Sequence, residues 1–322
     1  MHQSKNYEPL LVHLSIWDRV MHTIPAPRNQ RNHTHSSHPV DCISHSSPEL
    51  GLRGQKLPMS YIAGTTMRGA RNVLVVFAII LVSPSFETSL ALAQGTTAIT
   101  PTIGIGNLGT KVTADGQTVQ ITGGTRPGNG TNLFHSFDQF IVGPGDAAHF
   151  LNTTPSLRTE NILSRVTGGS LSSIYGTIDT LSYPEANLFL MNPAGIVFGP
   201  SATLHVGGSV AFTTASYLRL AGADGSGSGI FHADTATTSL LTSASVSTFG
   251  FLSPNPAAIA IHGSRLIVPP GQSISLVGGN ITVQSGTLEN GTSQSARLSA
   301  PGGQIKIASA ASQGEVLAEN FG

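Results

Sequence analysis

Short apolar runs, each closed by a turn-forming residue, dominate the sequence from about residue 97 onward. The clearest series covers residues 187–220, where four runs of three to five residues (188–191, 196–198, 203–206 and 209–213) are separated from one another by segments that contain Gly, Pro or Asn. Runs of β-branched and aromatic residues bounded by such breakers are typical of short strands joined by tight corners. No helix of ordinary length fits between the breakers, so the series predicts a succession of short strands.

The same rhythm recurs on both sides of this series. Asp115-Gly116 separates two alternating runs and predicts a β-hairpin. A parallel β-helix has coils of about twenty residues made of short strands and turns, but a β-sandwich can show similar spacing. Short Gly-rich turns favour the β-helix, and so does the recurrence of Asn near strand ends, where the amide can bond the backbone at a corner. These asparagines are Asn132, Asn161, Asn187 and Asn280.

Residues 67–94 contain the three parts of a secretory signal peptide. A basic lead at 67–72 precedes an apolar core at 73–82, and a polar region ends in Ala91-Leu-Ala93 before Gln94. The apolar core is too short for a membrane-spanning helix, which needs about 20 apolar residues. We therefore predict a signal peptide at 67–93 and a mature chain that begins at Gln94.

The segment before this signal, residues 1–66, has no apolar periodicity and holds seven of the twelve His. It is interpreted as a disordered extension or as sequence read from an early start codon, with Met67 as the better start. Its run from His33 to His38 lacks carboxylate or Cys support, so it is not assigned as a metal site.

Composition and charge narrow the class of protein further. Only 10% of the 322 residues are charged, which leaves little to build the exposed faces of helices and favours an all-β body. Residues 1–93 carry eight basic and five acidic residues, and residues 94–322 carry eight and eleven. Neither part is basic enough to indicate a nucleic-acid partner. Cys42 is the one cysteine, so the mature chain has no disulfide, which suits folding outside the cytoplasm.

Three motifs behind the signal peptide together resemble the amino-terminal secretion domain of filamentous haemagglutinin-type exoproteins, the substrates of two-partner secretion. They are Asn132-Leu-Phe-His-Ser-Phe137, Asn161-Ile-Leu-Ser-Arg-Val-Thr-Gly-Gly169 with residues 174–178, and residues 187–200. The similarity covers roughly residues 97–217, and the sequence from 251 onward resembles the β-helical repeats that continue such proteins. The motif residues taken as candidate export determinants are Asn132, Phe134, Phe137, Asn161, Arg165, Gly168 and Gly169.

This resemblance implies a right-handed parallel β-helix with an amino-terminal cap. It also implies a partner, an outer-membrane β-barrel transporter of the Omp type that recognises the domain in the periplasm and passes the exoprotein to the cell surface. The family's Asn-Pro-Asn-Gly turn reads Asn192-Pro193-Ala194-Gly195 here. Pro at the second position and Gly at the fourth still suit a type I turn, so the motif is either a contact with the transporter or a corner that only turns the chain.

The sequence offers little that is typical of a catalytic site. The eleven acids after Gln94 are scattered, mostly beside Gly, Pro or Asn, and the five histidines show no spacing typical of metal ligands. No Gly-x-Ser-x-Gly sequence stands between a strand and a helix. We expect no catalytic residue, no metal and no cofactor. The histidines are His135, His149, His205, His232 and His262.

The sequence therefore predicts a non-enzymatic exoprotein or adhesin, exported through the periplasm and secreted or displayed at the cell surface. The secretion domain is placed at 94–248 and the start of the β-helical repeats at 249–322, which are expected to continue in a longer protein. A host or neighbouring-cell surface would be the second partner. The alternatives are a β-helical polysaccharide-cleaving enzyme, which would gather three acids in one groove, and a β-sandwich lectin, which would show two packed sheets.

Overall fold

The computed structural model describes residues 96–222 and 227–318. Strands make up almost all of the regular structure in this part, with one 3₁₀ turn at Pro127–Asn129 and no α-helix. The strands are β1 (Ala98–Pro101), β2 (Thr110–Asp115), β3 (Thr118–Gly123), β4 (Asn132–Ile141), β5 (Ala147–Phe150), β6 (Asn161–Val166), β7 (Ser172–Ile174), β8 (Thr177–Asp179), β9 (Asn187–Met191), β10 (Ile196–Phe198), β11 (Thr203–His205), β12 (Val210–Thr213), β13 (Tyr217–Leu220), β14 (Gly229–His232), β15 (Val246–Phe251), β16 (Ile259–His262), β17 (Arg265–Ile267), β18 (Ile274–Gly278), β19 (Ile281–Gln284), β20 (Gly286–Thr287), β21 (Ser293–Gln294), β22 (Arg297–Ser299), β23 (Ile305–Ser309) and β24 (Gly314–Leu317).

Three sheets of mainly parallel strands form the faces of a β-helix. Sheet A has the order β1-β4-β6-β9-β12-β18-β23, sheet B has β7-β10-β16-β19, and sheet C has β2-β3-β5-β8-β11-β17-β22. The chain visits A, then B, then C, as β6, β7 and β8 and again as β9, β10 and β11. Since β6, β9 and β12 begin at residues 161, 187 and 210, successive coils take 26 and 23 residues.

The interior of the coils is filled by apolar residues stacked in register. Ile162, Leu188, Val210 and Ile274 are direct neighbours across four strands of sheet A, and each is almost fully buried. Burying a side chain of this kind contributes about 1.5–3 kcal/mol. Because every coil adds the same interior positions, stacking one coil on the next extends a continuous core.

The amino-terminal end of the stack is closed by antiparallel strands. β1 pairs antiparallel with β4 at the edge of sheet A, and β2 and β3 form a hairpin at the edge of sheet C. Gly116 lies in the hairpin turn with φ of 61°, a conformation that favours glycine, which confirms the turn predicted at Asp115-Gly116. β3 then pairs parallel with β5, so the hairpin continues directly into the parallel strands of the coils.

A fourth sheet covers the outside of sheet A. Sheet D is antiparallel with the order β14-β13-β15-β24; β13 to β15 are inserted within one coil, between β12 and β16, and β24 returns from the last coil. Its apolar side packs on the outward residues of sheet A, which is therefore buried on both faces. This second core includes Phe134, Leu163, Phe189, Ala211, Leu218, Phe231 and Phe249.

The predicted fold class, an all-β parallel β-helix with an amino-terminal cap, is confirmed. One local expectation differs: residues 249–251 belong to β15 in sheet D and not to a coil, because their Phe side chains bury against the outside of sheet A. The domain boundary at 248/249 stays a prediction and falls within β15. The extension at 1–66, the signal peptide at 67–93 and the cleavage residues Ala91, Ala93 and Gln94 lie outside the described residues.

Candidate functional site

Three of the asparagines noted in the sequence form a ladder along the start of sheet A. Asn161 donates from Nδ2 to Asn132 Oδ1 at 2.8 Å, and Asn187 donates to Asn161 Oδ1 at 3.1 Å. The ladder continues at both ends, because Asn187 Oδ1 accepts from the backbone of Ser209 and Asn132 Nδ2 donates to the carbonyl of Thr242 at 2.9 Å. The ladder thus ties successive coils to each other and to the segment before β15. Asn280 is exposed and takes no part in it.

Arg165 is a buried cation on the outward side of β6, only 2% exposed. Its guanidinium donates to Ser136 Oγ at 2.9 Å, to the carbonyl of His232 at 2.5 Å and to the carbonyl of Gly106 at 2.7 Å. Burial lowers the pKa of Arg165 to about 10, and the charge of Asp234 opposes that shift, so the side chain is charged at neutral pH. One residue therefore joins sheet A, sheet D and the loop before β2.

The two phenylalanines of the first motif face opposite sides of β4. Phe134 points outward and meets Phe231 of sheet D edge-to-face, with ring centroids 5.1 Å apart, and Arg165 lies 5.0 Å from the centroid of the same Phe231 ring. Phe137 points into the coil and packs edge-to-face on Phe140 at 5.1 Å. Such aromatic contacts add about 0.5–1.5 kcal/mol beyond the area that they bury.

Gly168 and Gly169 shape the corner after β6. The backbone N–H of Gly168 donates to the carbonyl of Asp138 at 3.0 Å, and a Cβ at Gly168 would lie only 2.4 Å from that oxygen. Gly169 has φ of 72°, in the left-handed region that favours glycine. The pair therefore allows the close approach and the turn that lead the chain towards β7.

The Asn192-Pro193-Ala194-Gly195 turn is held from within the protein. Asn192 is 1% exposed; its Nδ2 donates to the carbonyl of Ser170 at 2.9 Å and to Ser172 Oγ at 2.8 Å. Its Oδ1 accepts from the backbone of Ala194 at 2.9 Å, and its carbonyl accepts from Gly195 at 3.0 Å. Pro193 and Ala194 are half-buried. The polar atoms of the Asn192 side chain are thus engaged inside the fold.

The structure sorts the predicted motif residues into two groups. Asn132, Phe134 and Arg165 connect sheet A with sheet D or the segments beside it, and we call them the cover contacts. Asn161 belongs to the asparagine ladder within sheet A. Gly168 and Gly169 lead through Ser170 to the Asn192 turn, and Phe137 lies apart in the coil interior. The partners on sheet D, Phe231 and His232, were missed by sequence reasoning. A usable signal was present, because strands apolar at every position, such as residues 188–191, require burial on both faces.

The described carboxylates and histidines do not gather into a metal centre. No three His, Cys, Asp or Glu side chains in residues 96–222 and 227–318 could hold a metal ion. His149 on the outer face of sheet C contacts Ser182 Oγ through Nε2 at 3.1 Å and Asp179 Oδ2 through Nδ1 at 3.2 Å. This is the connectivity of a catalytic triad, but hydrolases also need a substrate pocket, and the pocket on the same sheet is lined by other residues.

His135 lies buried inside the first coil. Its Nδ1 is 3.2 Å from Thr110 Oγ1, and its ring packs on Phe137 and Phe150. Burial, together with the smaller effect of the Arg126 charge, lowers the pKa of His135 to about 3. The imidazole is therefore neutral in the folded protein at neutral and mildly acidic pH.

We expect acid to destabilise the domain through His135. The unfolded chain takes up this proton near pH 6.5 and the folded protein only near pH 3, so stability is full above pH 6.5 and falls as the pH drops towards 3. Between pH 7 and pH 5 the loss is about 2 kcal/mol. Urea unfolding of His135→Gln at both pH values should show a smaller loss, and exposed His205→Gln serves as the control. An unchanged pH dependence in His135→Gln would contradict the assignment.

The stacked parallel coils, the amino-terminal cap and the antiparallel cover define a β-helical protein with an outer sheet. Among the described residues no helix is long and apolar enough to cross a membrane. Residues 98–321 match the sequence model of the family described as "TPS secretion domain". The chain belongs to this family, and so carries the secretion domain of a two-partner secretion substrate.

Solved structures of the same kind are similar to the chain. The HMW1 secretion domain from Haemophilus influenzae is 17% identical, with 58% of this chain and 44% of that chain covered and a TM-score of 0.32. The filamentous hemagglutinin secretion domain is 16% identical, with 67% and 75% covered and a TM-score of 0.35. The chain thus spans less than half the length of the HMW1 structure that it matches. No curated protein sequence matches it.

Proposed function

We propose that the protein is an exoprotein or adhesin that an outer-membrane β-barrel partner exports through its secretion domain. The family match over residues 98–321 is the observation that carries this proposal. Residues 67–93 would direct the chain into the periplasm, with cleavage before Gln94, and the domain placed at 94–248 would then be recognised by the barrel. The exported protein would act without catalysis, at a host or neighbouring-cell surface.

The coil stack offers a physical reason for export in one direction. A chain that crosses a barrel in extended form exposes the interior rows of the coils, such as Leu188 and Val210. Each coil that stacks outside the cell buries these rows, which contributes about 25 cal/mol per Å² of apolar surface. Folding on the far side therefore opposes the return of the chain through the pore.

The last coil supports the proposal that β-helical repeats begin in residues 249–322. Ile305 and Ile307 on β23 are in register with the buried Ile274 and Leu276, but they are 42% and 51% exposed. An unpaired strand edge with exposed interior positions is the surface on which another coil of the same kind would stack. Such coils would form the stalk of the exoprotein.

We infer that the motif residues maintain the shape of the domain and do not contact the transporter directly. The cover contacts are buried between sheets A and D, and the Asn192 amide is engaged by Ser170 and Ser172. The barrel would then recognise the folded surface or the backbone that these residues position. Ala194, where the family has Asn, fits this view because its backbone N–H already donates to Asn192 Oδ1.

Export should depend on the partner barrel. The tagged full chain, produced in its own bacterium, is expected in the culture medium or on the cell surface when the two-partner barrel is present. Deletion of the barrel gene should retain the tag in the periplasm, because the chain then has no pore to cross. Fractionation with immunoblotting measures both, and mass spectrometry should find Gln94 at the amino terminus. Equal export with and without the barrel would overturn the proposal.

A variant without residues 67–93 separates the two membrane steps. It should stay in the cytoplasm whether or not the barrel is present, since it cannot enter the periplasm. If that variant were exported, the assigned signal peptide would be wrong even where the barrel dependence holds.

A further inference from the structure

Two arginines stand side by side on the outer face of sheet C. Arg265 begins β17 and Arg297 begins β22, and the two residues are direct neighbours in the parallel pairing of these strands. Both side chains are exposed, while the next residue on each strand, Leu266 or Leu298, packs towards the core. The alternation of the strand therefore fixes both guanidinium groups on the same side of the sheet.

Within residues 96–222 and 227–318, this pair of cations has no acidic partner. The ion pairs in the described residues involve His149, Arg158 and Arg219, and no side-chain hydrogen bond of Arg265 or Arg297 is present. Glu289 is the acid in the adjacent hairpin, but it does not line the pocket around the arginines. Like charges directly opposite on neighbouring strands are destabilising, so the pair has an energetic cost that the fold itself does not offset.

A hairpin turns this surface into a pocket. β20 and β21 leave the coil between β19 and β22, and the side chain of Gln294 fixes them by donating to the carbonyls of Pro200 and Gly263, both at 2.6 Å. A Cβ at Gly263 would lie 2.8 Å from the Gln294 carbonyl, so the hairpin sits directly against the coil. The resulting pocket has a volume of about 530 Å³ and is open to solvent.

The lining of the pocket suits an anion that also carries hydroxyl groups. Besides the two arginine side chains it presents hydroxyls and an amide oxygen from the hairpin, two apolar side chains and no carboxylate. Guanidinium groups bind carboxylate and sulfate oxygens through paired hydrogen bonds, and hydroxyls and amides can bond sugar hydroxyls. The remaining lining residues are Leu288, Thr292, Ser293, Gln294, Ser295 and Ala296.

We propose that Arg265 and Arg297 form a binding site for a carboxylate- or sulfate-bearing polysaccharide. Two positive charges are too few for general binding to nucleic acid, where affinity grows with the number of phosphates neutralised, and residues 94–322 carry more acids than bases. The pocket is open to solvent, so a polymer can reach the two arginines. The inference rests on the proposed export, because the site meets a polysaccharide only after the protein has left the cell.

Calorimetric titration of the purified full chain with polysaccharides of different charge tests the site. Dextran sulfate presents sulfate, polygalacturonate presents carboxylate, and neutral dextran presents neither. We expect binding to at least one of the charged polymers and none to neutral dextran. The double variant Arg265→Gln/Arg297→Gln should bind at least about tenfold more weakly, since each lost charge-assisted hydrogen bond contributes about 1.5–3 kcal/mol.

The matched control removes the same formal charge elsewhere. Lys111→Gln/Arg158→Gln lies outside the pocket and should bind like the unaltered protein, and circular dichroism should show both double variants folded. Binding that falls equally in both variants, or that is as strong to double-stranded DNA as to the charged polysaccharides, would reduce the site to general attraction and overturn the proposal. The proposal would also be overturned if the protein bound neither dextran sulfate nor polygalacturonate. These outcomes do not depend on the barrel, so failure of this site and failure of export are distinguishable.

Discussion

Replacing Arg165 with Met is expected to lower the free energy of unfolding by about 3–5 kcal/mol. Met has a similar length, so the change removes the hydrogen bonds and the charge more than the packing. The carbonyls of His232 and Gly106 and the hydroxyl of Ser136 lose their donor. A buried acceptor left without a partner costs about 1–3 kcal/mol. Removal of the buried charge also removes its desolvation penalty, which offsets part of this loss. A Met side chain, however, cannot donate a hydrogen bond to the carbonyls.

Urea unfolding followed by circular dichroism measures this effect. Arg158→Met is the matched control, because Arg158 is exposed and its pair with Glu160 at 3.5 Å is a surface contact worth at most about 1 kcal/mol. Arg165→Lys should fall between the unaltered protein and Arg165→Met, since Lys keeps the charge but lacks the planar fork of donors. If Arg165→Met unfolds at the same urea concentration as Arg158→Met, Arg165 does not hold sheet D on sheet A.

Much of the coil architecture could be predicted from the sequence because its determinants are local. Gly, Pro and Asn mark the corners, and the apolar runs between them mark the strands. The asparagines at the strand starts were expected to bond the backbone at corners. Asn187 does so with Ser209 and Asn132 with the carbonyls of Thr242 and Ala244, whereas the Asn161 side chain bonds to the other two asparagines. That ladder follows from the coil length, which brings residues 26 to 29 positions apart into register.

Sheet D could not be predicted because its contacts are not local. The ladder bond from Asn132 to Thr242 spans 110 residues, and the bond from Arg165 to His232 spans 67. No pattern in one sequence states which two distant segments meet. The apolar residues on both faces of β9 indicated that sheet A needs a second layer, but they did not indicate that residues 246–251 and Gly314–Leu317 supply it.

The candidate site also combines features that the local sequence predicts with contacts between distant segments that it does not predict. The motif residues were found by their sequence, whereas their roles depend on neighbours that the sequence does not identify. Arg165 could have been a surface group offered to a transporter, yet its partners bury it. Within the Asn192 turn, the family's third-position Asn is replaced by Ala194, and the bond that shapes the corner uses the Ala194 backbone instead. The structure therefore indicates that Asn192 and Gly195, at the first and fourth positions, determine the shape of the turn.

Asn192→Ile should sharply reduce both folding stability and export. The Ile side chain would be enclosed where Asn192 is 1% exposed, and it cannot donate to Ser170 or Ser172 or accept from Ala194. With about 1–3 kcal/mol for each buried group left unpaired, we expect a loss of about 3 kcal/mol or more. Gly195 adds to the constraint, because its φ of 113° allows the corner and a Cβ there would lie 2.8 Å from Leu171. Urea unfolding measures the stability, and immunoblotting of the medium measures the export.

Two controls assign the effect of Asn192→Ile to the buried corner. Asn290 makes the same kind of bond, accepting from the backbone of Thr292 at 3.0 Å, but it is exposed; Asn290→Ile should therefore change stability by less than about 1 kcal/mol and leave export intact. Ala194→Asn restores the family's residue on the half-buried side of the turn and should also be neutral. If Asn192→Ile were folded and exported normally, the turn would be dispensable. If Ala194→Asn raised export, the side-chain amide at the third position would itself contact the transporter, and the backbone shape of the corner would be only part of the signal.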